Sequence, residues 1–331
     1  MPHAGEDTRL YRQVCELGAA LKTLGDAGVQ GTELVPSGTA ILFSAESEWA
    51  TRSETLPSKK LNHWHDVRDW YRAFLDAGTR VDIVPLKYDW SGYRTVVLPT
   101  VLMLSGEDVA RLERFVRGGG TVVVGYATGL IDENFHTWLG GYPGAGDGVL
   151  RGMLGIRGEE FNILGAEAAG DPCEIHLSNG MTTRLWQNDI NVDGDGVDVL
   201  ATYAGEKADE WDLDGTAAIT RNAYGEGSAY FVGCDLNVAD LAMFITTGLN
   251  PAERGDRNTS QKSGPHYDPI TTLHTERAGA EATFDFYLPR GKHEVEIDGV
   301  EGEPVYRFRC DEGTGPGSYA IHRNGVLVVK R

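Results

Sequence analysis

Four carboxylates are the first candidates for chemistry, because each follows a short apolar run of the kind found in buried strands. The runs are 39-TAILFS-44 and 121-TVVVGY-126, and the acids that come after them are Glu46, Glu48, Asp132 and Glu133. Open α/β sheets bind ligands at the carboxyl ends of their strands, and a pair of carboxylates can act as a general acid and a general base. A hydrolase that uses two of these acids is one hypothesis, although acids in loops are more often solvated surface.

The second run leads into a turn with the spacing of a nucleophile elbow. Residues 125–129 are Gly-Tyr-Ala-Thr-Gly, and several α/β enzymes hold a reactive Ser or Cys at the centre of such a turn. The central residue here is Ala127, which has neither a hydroxyl nor a thiol. Covalent catalysis at this turn is therefore excluded.

Two short motifs resemble metal sites, and both have a simpler interpretation. His63 and His65 precede Asp66, but two side chains at that spacing on a helix point in different directions. The acidic stretch 193-DGDGVD-198 has Asp198 where a calcium loop needs Gly, and Ala204 where it needs Glu. We expect packing histidines, a turn, and neither a metal nor a cofactor.

Composition predicts a globular protein with an acidic surface. The 331 residues include 30 basic and 49 acidic ones, which gives a formal net charge of −19. Such a charge repels phosphate backbones and anionic lipids, so we expect neither nucleic acid nor membrane partners. No stretch approaches the roughly 18 apolar residues of a membrane span, and the start of the chain lacks the features of a signal peptide. These features predict a cytoplasmic location.

The cysteines support the same location. Their positions are far apart and form no CxxC pair: Cys15, Cys173, Cys234 and Cys310. Scattered cysteines of this kind favour buried thiols in a reducing compartment over disulfides or a zinc site.

The first part of the chain alternates helical and strand patterns, which predicts a mainly parallel sheet with helices on both faces. The predicted elements are a helix from Leu10 to Leu24 that Asp7 caps, a strand at 39–44, a helix at 62–77, strands at 81–86 and 94–102, a helix after the capping box of Ser105 and Asp108, and a strand at 121–126. The connection 87–93 is short for a parallel crossover. It leaves open a single helical turn or an antiparallel pair.

The second part is rich in strand patterns. Predicted strands are 197–205, 216–222 and 228–233, with Gly225 and Gly227 in a hairpin turn, and a helix opens at Asn237. Residues 251–266 are polar and predict a linker. The strands expected after it, at 281–289, 292–298, 304–310 and 325–330, predict a small all-β domain.

Several of these stretches resemble the middle region of family 42 glycoside hydrolases, the β-galactosidases. They are 40-AILFSAESEWA-50, residues 64–105 from WHDVRDWYRAF onward, 125-GYATGLIDENFHTWLGGYPG-144, 197-VDVLATYAG-205 and 216-TAAITRNAYGEGSAYFVG-233. The chain departs from the family at Ser44 and Ser47, where an acid and an Asn are common.

The resemblance implies a catalytic (β/α)₈ barrel, a middle α/β domain and a small carboxyl-terminal β domain. The middle domain would have a flavodoxin-like sheet similar to class I glutamine amidotransferases, with Ala127 where those enzymes keep a Cys, and would mediate trimer formation. On that scheme residues 1–30 are an exit helix and connector from the barrel, 31–250 the trimerisation domain, 251–266 a linker and 267–331 the β domain. The two Glu residues that hydrolyse β-D-galactosides in the family belong to the barrel and match no position here.

Three functional hypotheses remain. The first is a non-catalytic assembly module that forms a homotrimer and meets β-galactosides only through a parent enzyme, whose barrel could be a separate chain. Its interface, or a sugar-facing loop, would involve exposed residues of 44–62 and 126–144: Glu46, Trp49, Asp132, Glu133, Asn134, His136 and Trp138. The second is a stand-alone or split glycoside hydrolase that uses carboxylates at the strand ends, from among Glu46, Glu48, Asp132 and Glu133. The third is a sugar-binding module that uses the aromatic residues of the β domain, although strand alternation places most of these in a core.

Overall fold

The computed structural model describes residues 8–54, 56–164, 174–204, 213–249 and 265–331. The chain divides into two compact units. A terminal unit combines the residues up to Val35 with those from 258 onward, and an inner unit comprises residues 36–257. The first helix belongs to the same unit as the carboxyl-terminal strands.

The helices and strands carry the following bounds. The helices are α1 (Arg9–Asp26), α2 (Ala45–Ala50), α3 (His63–Asp76), α4 (Gly106–Arg117), α5 (Val149–Leu154) and α6 (Val238–Met243), which continues into a π-helical turn at Phe244–Gly248. The first strands are β1 (Glu33–Leu34), β2 (Thr39–Phe43), β3 (Asp82–Pro85), β4 (Thr95–Leu98), β5 (Thr121–Gly125) and β6 (Ile156–Ile163). The middle strands are β7 (Ile175–Leu177), β8 (Thr182–Thr183), β9 (Trp186–Val192), β10 (Val197–Ala204), β11 (Ala217–Tyr224) and β12 (Gly227–Val232). The last strands are β13 (Thr272–Ala278), β14 (Thr283–Pro289), β15 (Val295–Ile297), β16 (Glu303–Glu312) and β17 (Tyr319–Lys330).

The main sheet of the inner unit is mixed. Its strand order is β3-β2-β4-β5-β12-β11-β10-β7-β8. The pairs from β3 to β12 are parallel, and the pairs from β12 to β8 are antiparallel. The mainly parallel sheet expected from the sequence is therefore present in one half only. In the other half, short turns join β7 to β8 and β11 to β12, and a tight turn reverses the chain, so these pairs are antiparallel. The remaining antiparallel pairs, β10–β11 and β10–β7, form between strands that are farther apart in sequence.

The parallel half is buried on both faces, as its unbroken apolar runs predict. Val122 and Val124 pack on one face with Leu112 of α4, whereas Val123 packs on the other with Phe74 of α3. All five side chains are 0% exposed. Burial of an apolar side chain of this size contributes roughly 1.5–3 kcal/mol, so the two cores hold the sheet rigidly between helices.

Two local predictions are confirmed. Ser105 caps α4 in a capping box with Asp108, and the β11–β12 hairpin turns at 225–226, with Tyr224 opposite Gly227. The connection 87–93 was expected to hold a helical turn or to join an antiparallel pair, and the structure shows neither. Strands β3 and β4 lie on either side of β2 and both pair parallel with it, so the chain crosses β2 between them without a helix.

The terminal unit contains an antiparallel sheet. Its order is β1-β13-β14-β17-β15, and β16 also pairs with β17. A small core of Tyr287, Ile297, Ile321 and Leu327 lies on one face. No strand was predicted at β1, whose partner β13 lies far away in sequence. The predicted linker at 251–266 lies outside the described residues except for its last two.

Helix α1 carries its apolar residues on the outside. Leu10, Val14, Leu17 and Leu21 are 58–59% exposed. Thr8, rather than Asp7, provides the cap, by accepting a hydrogen bond from the Tyr11 amide. None of the helices in the described parts of the chain is long and apolar enough to cross a membrane.

Candidate functional site

The carboxyl ends of β2, β4, β5 and β12 lie at one edge of the inner sheet, which is where open α/β sheets bind ligands. The segments that follow β2, β4 and β5 pack together with the first residue of β9 into one buried cluster. Its members are Ala50, Leu61, Leu102, Met103, Tyr126, Ala127, Ile131 and Trp186. The cluster fixes α2, the segment after β4 and the segment after β5 relative to one another.

The elbow has an unusual backbone and no reactive group. Ala127 has φ +54° and Gly129 φ +71°, and an L-residue in this left-handed region is strained by sterics. The Ala127 methyl group is fully buried. Burial raises the pKa of Tyr142, and the backbone amides of Thr128 and Ala127 beside its hydroxyl act in the opposite direction. The elbow therefore has no nucleophile, and its amides face a buried phenol.

A small recess lies beside the elbow. It is lined by Asp66, Asp69, Trp70, Thr100, Gly125, Tyr126, Val232, Cys234, Leu236 and Leu241. Asp66 lies in the first turn of α3, and its Oδ2 accepts hydrogen bonds from the Tyr126 hydroxyl at 3.1 Å and from the Thr100 hydroxyl. These two bonds join α3 to the segments that follow β4 and β5.

Asp66 is a carboxyl group that the fold keeps partly protonated at neutral pH, whereas an aspartate in water is ionised there. Burial raises its pKa to about 7, the hydrogen bonds from Thr100 and Tyr126 lower it, and the negative charges of Asp235 and Asp69 raise it further. At neutral pH the carboxyl group is therefore divided between its neutral and ionised forms.

Asp235 has a structural role. Its Oδ1 accepts hydrogen bonds from the Thr183 hydroxyl at 2.6 Å and from the amides of Arg184, Leu185 and Trp186 at 3.2, 2.6 and 2.9 Å. The residue thereby anchors the loop before β9 to the end of β12.

The described cysteine thiols differ in their exposure to solvent. Cys234 is buried, and burial raises its pKa far above the usual value, which makes the thiol unreactive. Burial also raises the pKa of Cys310 to about 11. Cys15 is exposed, which contradicts the expectation of a buried thiol, because its face of α1 is not covered. Cys173 lies outside the described residues.

His63 is a buried packing residue, as expected. Its Nδ1–H donates to the Pro99 carbonyl at 2.8 Å, and its Nε2 accepts from the Ser44 amide at 2.9 Å. Burial lowers its pKa, although the bond to Pro99 and the charge of Glu48 oppose this effect. His63 therefore holds the ends of β2 and β4 as a neutral imidazole, whereas His65 points outward and is exposed.

The candidate acids after β2 have different environments. Glu48 is 8% exposed, pairs with Arg52 at 2.6 Å and accepts a hydrogen bond from the Trp64 amide at 3.0 Å. Glu46 is half-buried and accepts from the Ser44 hydroxyl at 3.3 Å. Neither acid lines the recess around Asp66, and Glu48 is occupied by structural bonds.

The candidate residues after β5 form a compact turn. Asp132 Oδ1 accepts from the amides of Asn134 and His136, each at 2.8 Å. Burial raises the pKa of Asp132, but these amides outweigh it and hold the pKa below its usual value. Glu133, Asn134 and His136 have exposed side chains. Asp132 thus shapes the turn as a carboxylate.

Both segments present apolar side chains to solvent, as expected. Trp49 is 69% exposed, Phe135 50% and Leu139 85%; these three residues are called the loop surface below. Trp138 differs, because its Nε1 donates to the Leu104 carbonyl at 3.3 Å and its ring packs against the core. It anchors the segment from inside. Phe135 has φ +64°, an unfavourable backbone for a bulky residue.

The candidate acids from the sequence follow the strand ends, but none of them is the carboxyl group whose pKa is raised to about 7. Asp66 was considered only as part of a metal motif, and its partners Thr100 and Tyr126 carried no motif. The signal that would have identified it is an acid in the first turn of a helix that follows a strand end. Within the described ranges, no group of three or more His, Cys, Asp or Glu side chains is arranged to hold a metal ion.

Comparison with known proteins gives a consistent result. Residues 37–253 match the family model described as "Beta-galactosidase trimerisation domain". The chain is 39% identical over 334 residues to the β-galactosidase BbgII of Bifidobacterium bifidum, a match that covers 100% of this chain and 46% of that protein. It is 35% identical over 232 residues to a β-galactosidase of an Arthrobacter species, covering 70% of this chain and 31% of that protein.

Solved structures agree with the sequence matches. The β-galactosidase from Bacillus circulans sp. alkalophilus superposes with a TM-score of 0.76 at 27% identity and covers 99% of this chain. The β-galactosidase from Rahnella sp. R3 does so with a TM-score of 0.71 at 26% identity and covers 98% of it. The chain spans 46% and 45% of those chains, so it corresponds to about half the length of the proteins it matches.

Proposed function

The chain belongs to the family of β-galactosidase trimerisation domains, and on that premise we propose that it is the assembly region of a β-galactosidase and forms a homotrimer. The observation that carries the proposal is the loop surface. Exposed apolar side chains grouped on one part of a protein mark interaction sites, and Trp49, Phe135 and Leu139 lie on segments that share one buried cluster.

The backbone of the loop surface supports the same proposal. Phe135 combines a left-handed backbone with a half-exposed ring, and strain of this kind costs on the order of 1–3 kcal/mol and persists mainly at functional positions. A closed ring of three uses two different patches of each subunit. We assign the loop surface, with the polar side chains of Glu46, Glu133, Asn134 and His136 around it, to one of them.

We also propose that the reaction of the parent enzyme takes place elsewhere. Retaining hydrolysis of terminal β-D-galactosides would belong to two Glu residues of a (β/α)₈ barrel, in the same protein or in a separate partner chain. The name of the relatives and the share of their length that the chain spans support this division, as does Ala127 at the elbow. The parallel half-sheet with its elbow supports a common origin with amidotransferase-like, flavodoxin-like domains.

The domain roles and the location remain proposals of the same kind. Residues 31–250 would assemble the trimer, with 1–30 leading from a barrel and 267–331 as an accessory β domain. A cytoplasmic location remains a prediction from the scattered cysteines and the acidic composition.

The first test is the absolute mass in solution, measured by light scattering behind a sizing column over a wide concentration range. We expect the mass of three chains. Leu139→Asp places a charge on the loop surface, where desolvation of an unpaired charge opposes association, and should shift the protein toward one chain.

Ile270→Asp is the matched control, because Ile270 is also an exposed aliphatic residue, at 49%, but lies in the terminal unit. It should leave the mass unchanged. A single-chain mass at every concentration would contradict assembly by this chain alone. Turnover of a chromogenic β-galactoside that survives purification and is lost in Glu46→Gln or Glu133→Gln would favour the hydrolase hypothesis instead.

A further inference from the structure

We propose that Asp66 is a proton-dependent positioning residue for the loop surface: its neutral carboxyl group holds the segments after β4 and β5 in place, and its ionisation releases them. The effect on assembly rests on the proposed function, whereas the effect on the two segments does not. The inference begins from the two hydroxyl groups that Asp66 binds, those of Thr100 and Tyr126.

Both hydroxyl groups belong to turns that need support. Thr100 has φ +47°, and Tyr126 directly precedes Ala127, whose φ is +54°. L-residues are strained in such conformations, so tertiary contacts must compensate for the strain. Asp66 supplies one contact to each turn from the same oxygen atom.

Hydrogen bonds lead from these turns to the loop surface. The Val101 amide donates to the Thr128 hydroxyl at 3.1 Å, and the Gly129 amide donates to the Val101 carbonyl at 2.9 Å. The chain then continues to the turn of Phe135 and Leu139.

A second connection reaches α2. The Met103 amide, on the segment after Thr100, donates to the Ser47 hydroxyl at 3.1 Å, and Ser47 lies two residues before Trp49. Both parts of the loop surface are thus connected to Asp66 through the two turns.

The groups around Asp66 disfavour its negative charge. Asp69 on α3 and Asp235 after β12 are acids, and the phenol of Tyr126 and the thiol of Cys234 are neutral. His63, one turn earlier on α3, has both ring nitrogens engaged with backbone groups, and Glu48 of α2 pairs with Arg52. Among the residues that the structure describes, no ion pair involves Asp66.

Ionisation therefore favours any local opening that brings the carboxylate into water. The pKa of about 7 in the closed form and about 3.9 in water define the pH range. By linkage, the equilibrium constant for such an opening rises about tenfold per pH unit between about pH 4 and about pH 7 and is constant above. The segments after β4 and β5 should open together, because Asp66 binds both.

The test is amide hydrogen exchange of the full chain from about pH 5 to about pH 8, with rates corrected for intrinsic exchange at each pH. The reporting amides are those of Val101, Gly129 and Leu130. Asp66→Asn keeps an acceptor oxygen for both hydroxyls but cannot ionise. Asp69→Asn is the matched control, because it removes a neighbouring acid from the same recess without touching the two bonds. Light-scattering mass is measured on the same samples.

We expect opening of these amides to increase roughly 50-fold from pH 5 to pH 7 in the natural sequence and to be independent of pH in Asp66→Asn. In Asp69→Asn the increase should persist but level off at slightly lower pH, because the charge of Asp69 raises the pKa of Asp66. An unchanged pH profile in Asp66→Asn would overturn the inference. If that variant does not fold, Tyr126→Phe provides the test: it should raise opening at pH 5, and no change there would count against the inference.

The mass separates the two proposals. If exchange follows Asp66 but the mass is that of one chain throughout, the positioning role stands and the assembly function fails. If the mass is that of three chains but Asp66→Asn leaves the pH dependence of exchange unchanged, the assembly function stands and the positioning role fails.

Discussion

At the scale of single residues, His63 and Asp66 lie one turn apart on α3 and depend on pH in opposite directions. Burial lowers the pKa of His63 and raises that of Asp66. The unfolded chain therefore binds a proton more readily than the native state at His63, and less readily at Asp66. Stability from His63 is complete above pH 6.5 and is lost below it, whereas stability from Asp66 is complete below about pH 4 and declines as the pH rises toward 7.

The His63 effect is testable by itself. We expect the free energy of unfolding to fall as pH decreases below about 6.5, because a protonated His63 can no longer accept from the Ser44 amide. His63→Gln should lower stability by about 1–3 kcal/mol at pH 7 through the loss of a buried bond, with a shallower decline at acid pH. Denaturant titrations at several pH values measure both quantities, and an equally steep acid decline in the variant would refute the role of His63.

The sequence predicted that the candidate acids would follow strand ends, but it did not identify the carboxyl group with the raised pKa, Asp66. Glu46, Asp132 and Glu133 were identifiable because an acid that follows an apolar run can be recognised from the sequence alone. The burial of Asp66 depends on elements that the sequence separates widely, such as β5 and β12. Its perturbed pKa has no local signature for that reason.

At the scale of elements, the parallel half of the inner sheet was predictable, because its strands read as unbroken apolar runs flanked by helix signals. The short strands β1 and β8, with two residues each, were not, since so short a stretch has no detectable periodicity. Helix α2 was expected to be a loop; its six residues carry a Ser44 cap but no second apolar turn. The antiparallel half includes the pair of β10 with β7, which are not consecutive strands, and periodicity alone does not encode which strands pair.

The β11–β12 hairpin provides a sharp test of element packing. A β-carbon at Gly227 would overlap the backbone carbonyl oxygens of Gly120 and Val116, and backbone cannot move aside as a side chain can. Gly227→Ala should therefore lower the free energy of unfolding by about 3 kcal/mol or more. Gly92→Ala, at a position with open space, should change it by less than about 0.5 kcal/mol. Thermal unfolding of the two variants compares them directly, and equal stability would show that the hairpin is not packed as described.

At the scale of the whole molecule, charge opposes association. Each chain carries a formal net charge of −19, so three chains repel one another at low ionic strength. We expect the trimer to dissociate at lower protein concentration in about 0.5 M salt than in about 0.02 M salt, since the Debye length shrinks from more than 20 Å to a few ångströms. Light scattering at both salt levels measures this. Weaker association in high salt would instead indicate that ion pairs across the interface, and not apolar contacts at Trp49 and Leu139, hold the ring.

The pairing of β1 with β13 has a consequence for biosynthesis. Glu33 lies opposite Ala278, so β1 has no partner on this sheet until more than two hundred further residues have been translated. The inner unit can fold during that interval, because its strands and helices contact one another. Strand β1 must wait for β13. A pause in translation before β13 would therefore leave a nascent chain with a folded inner unit and an unpaired β1, which is the form that a ribosome-associated chaperone would meet.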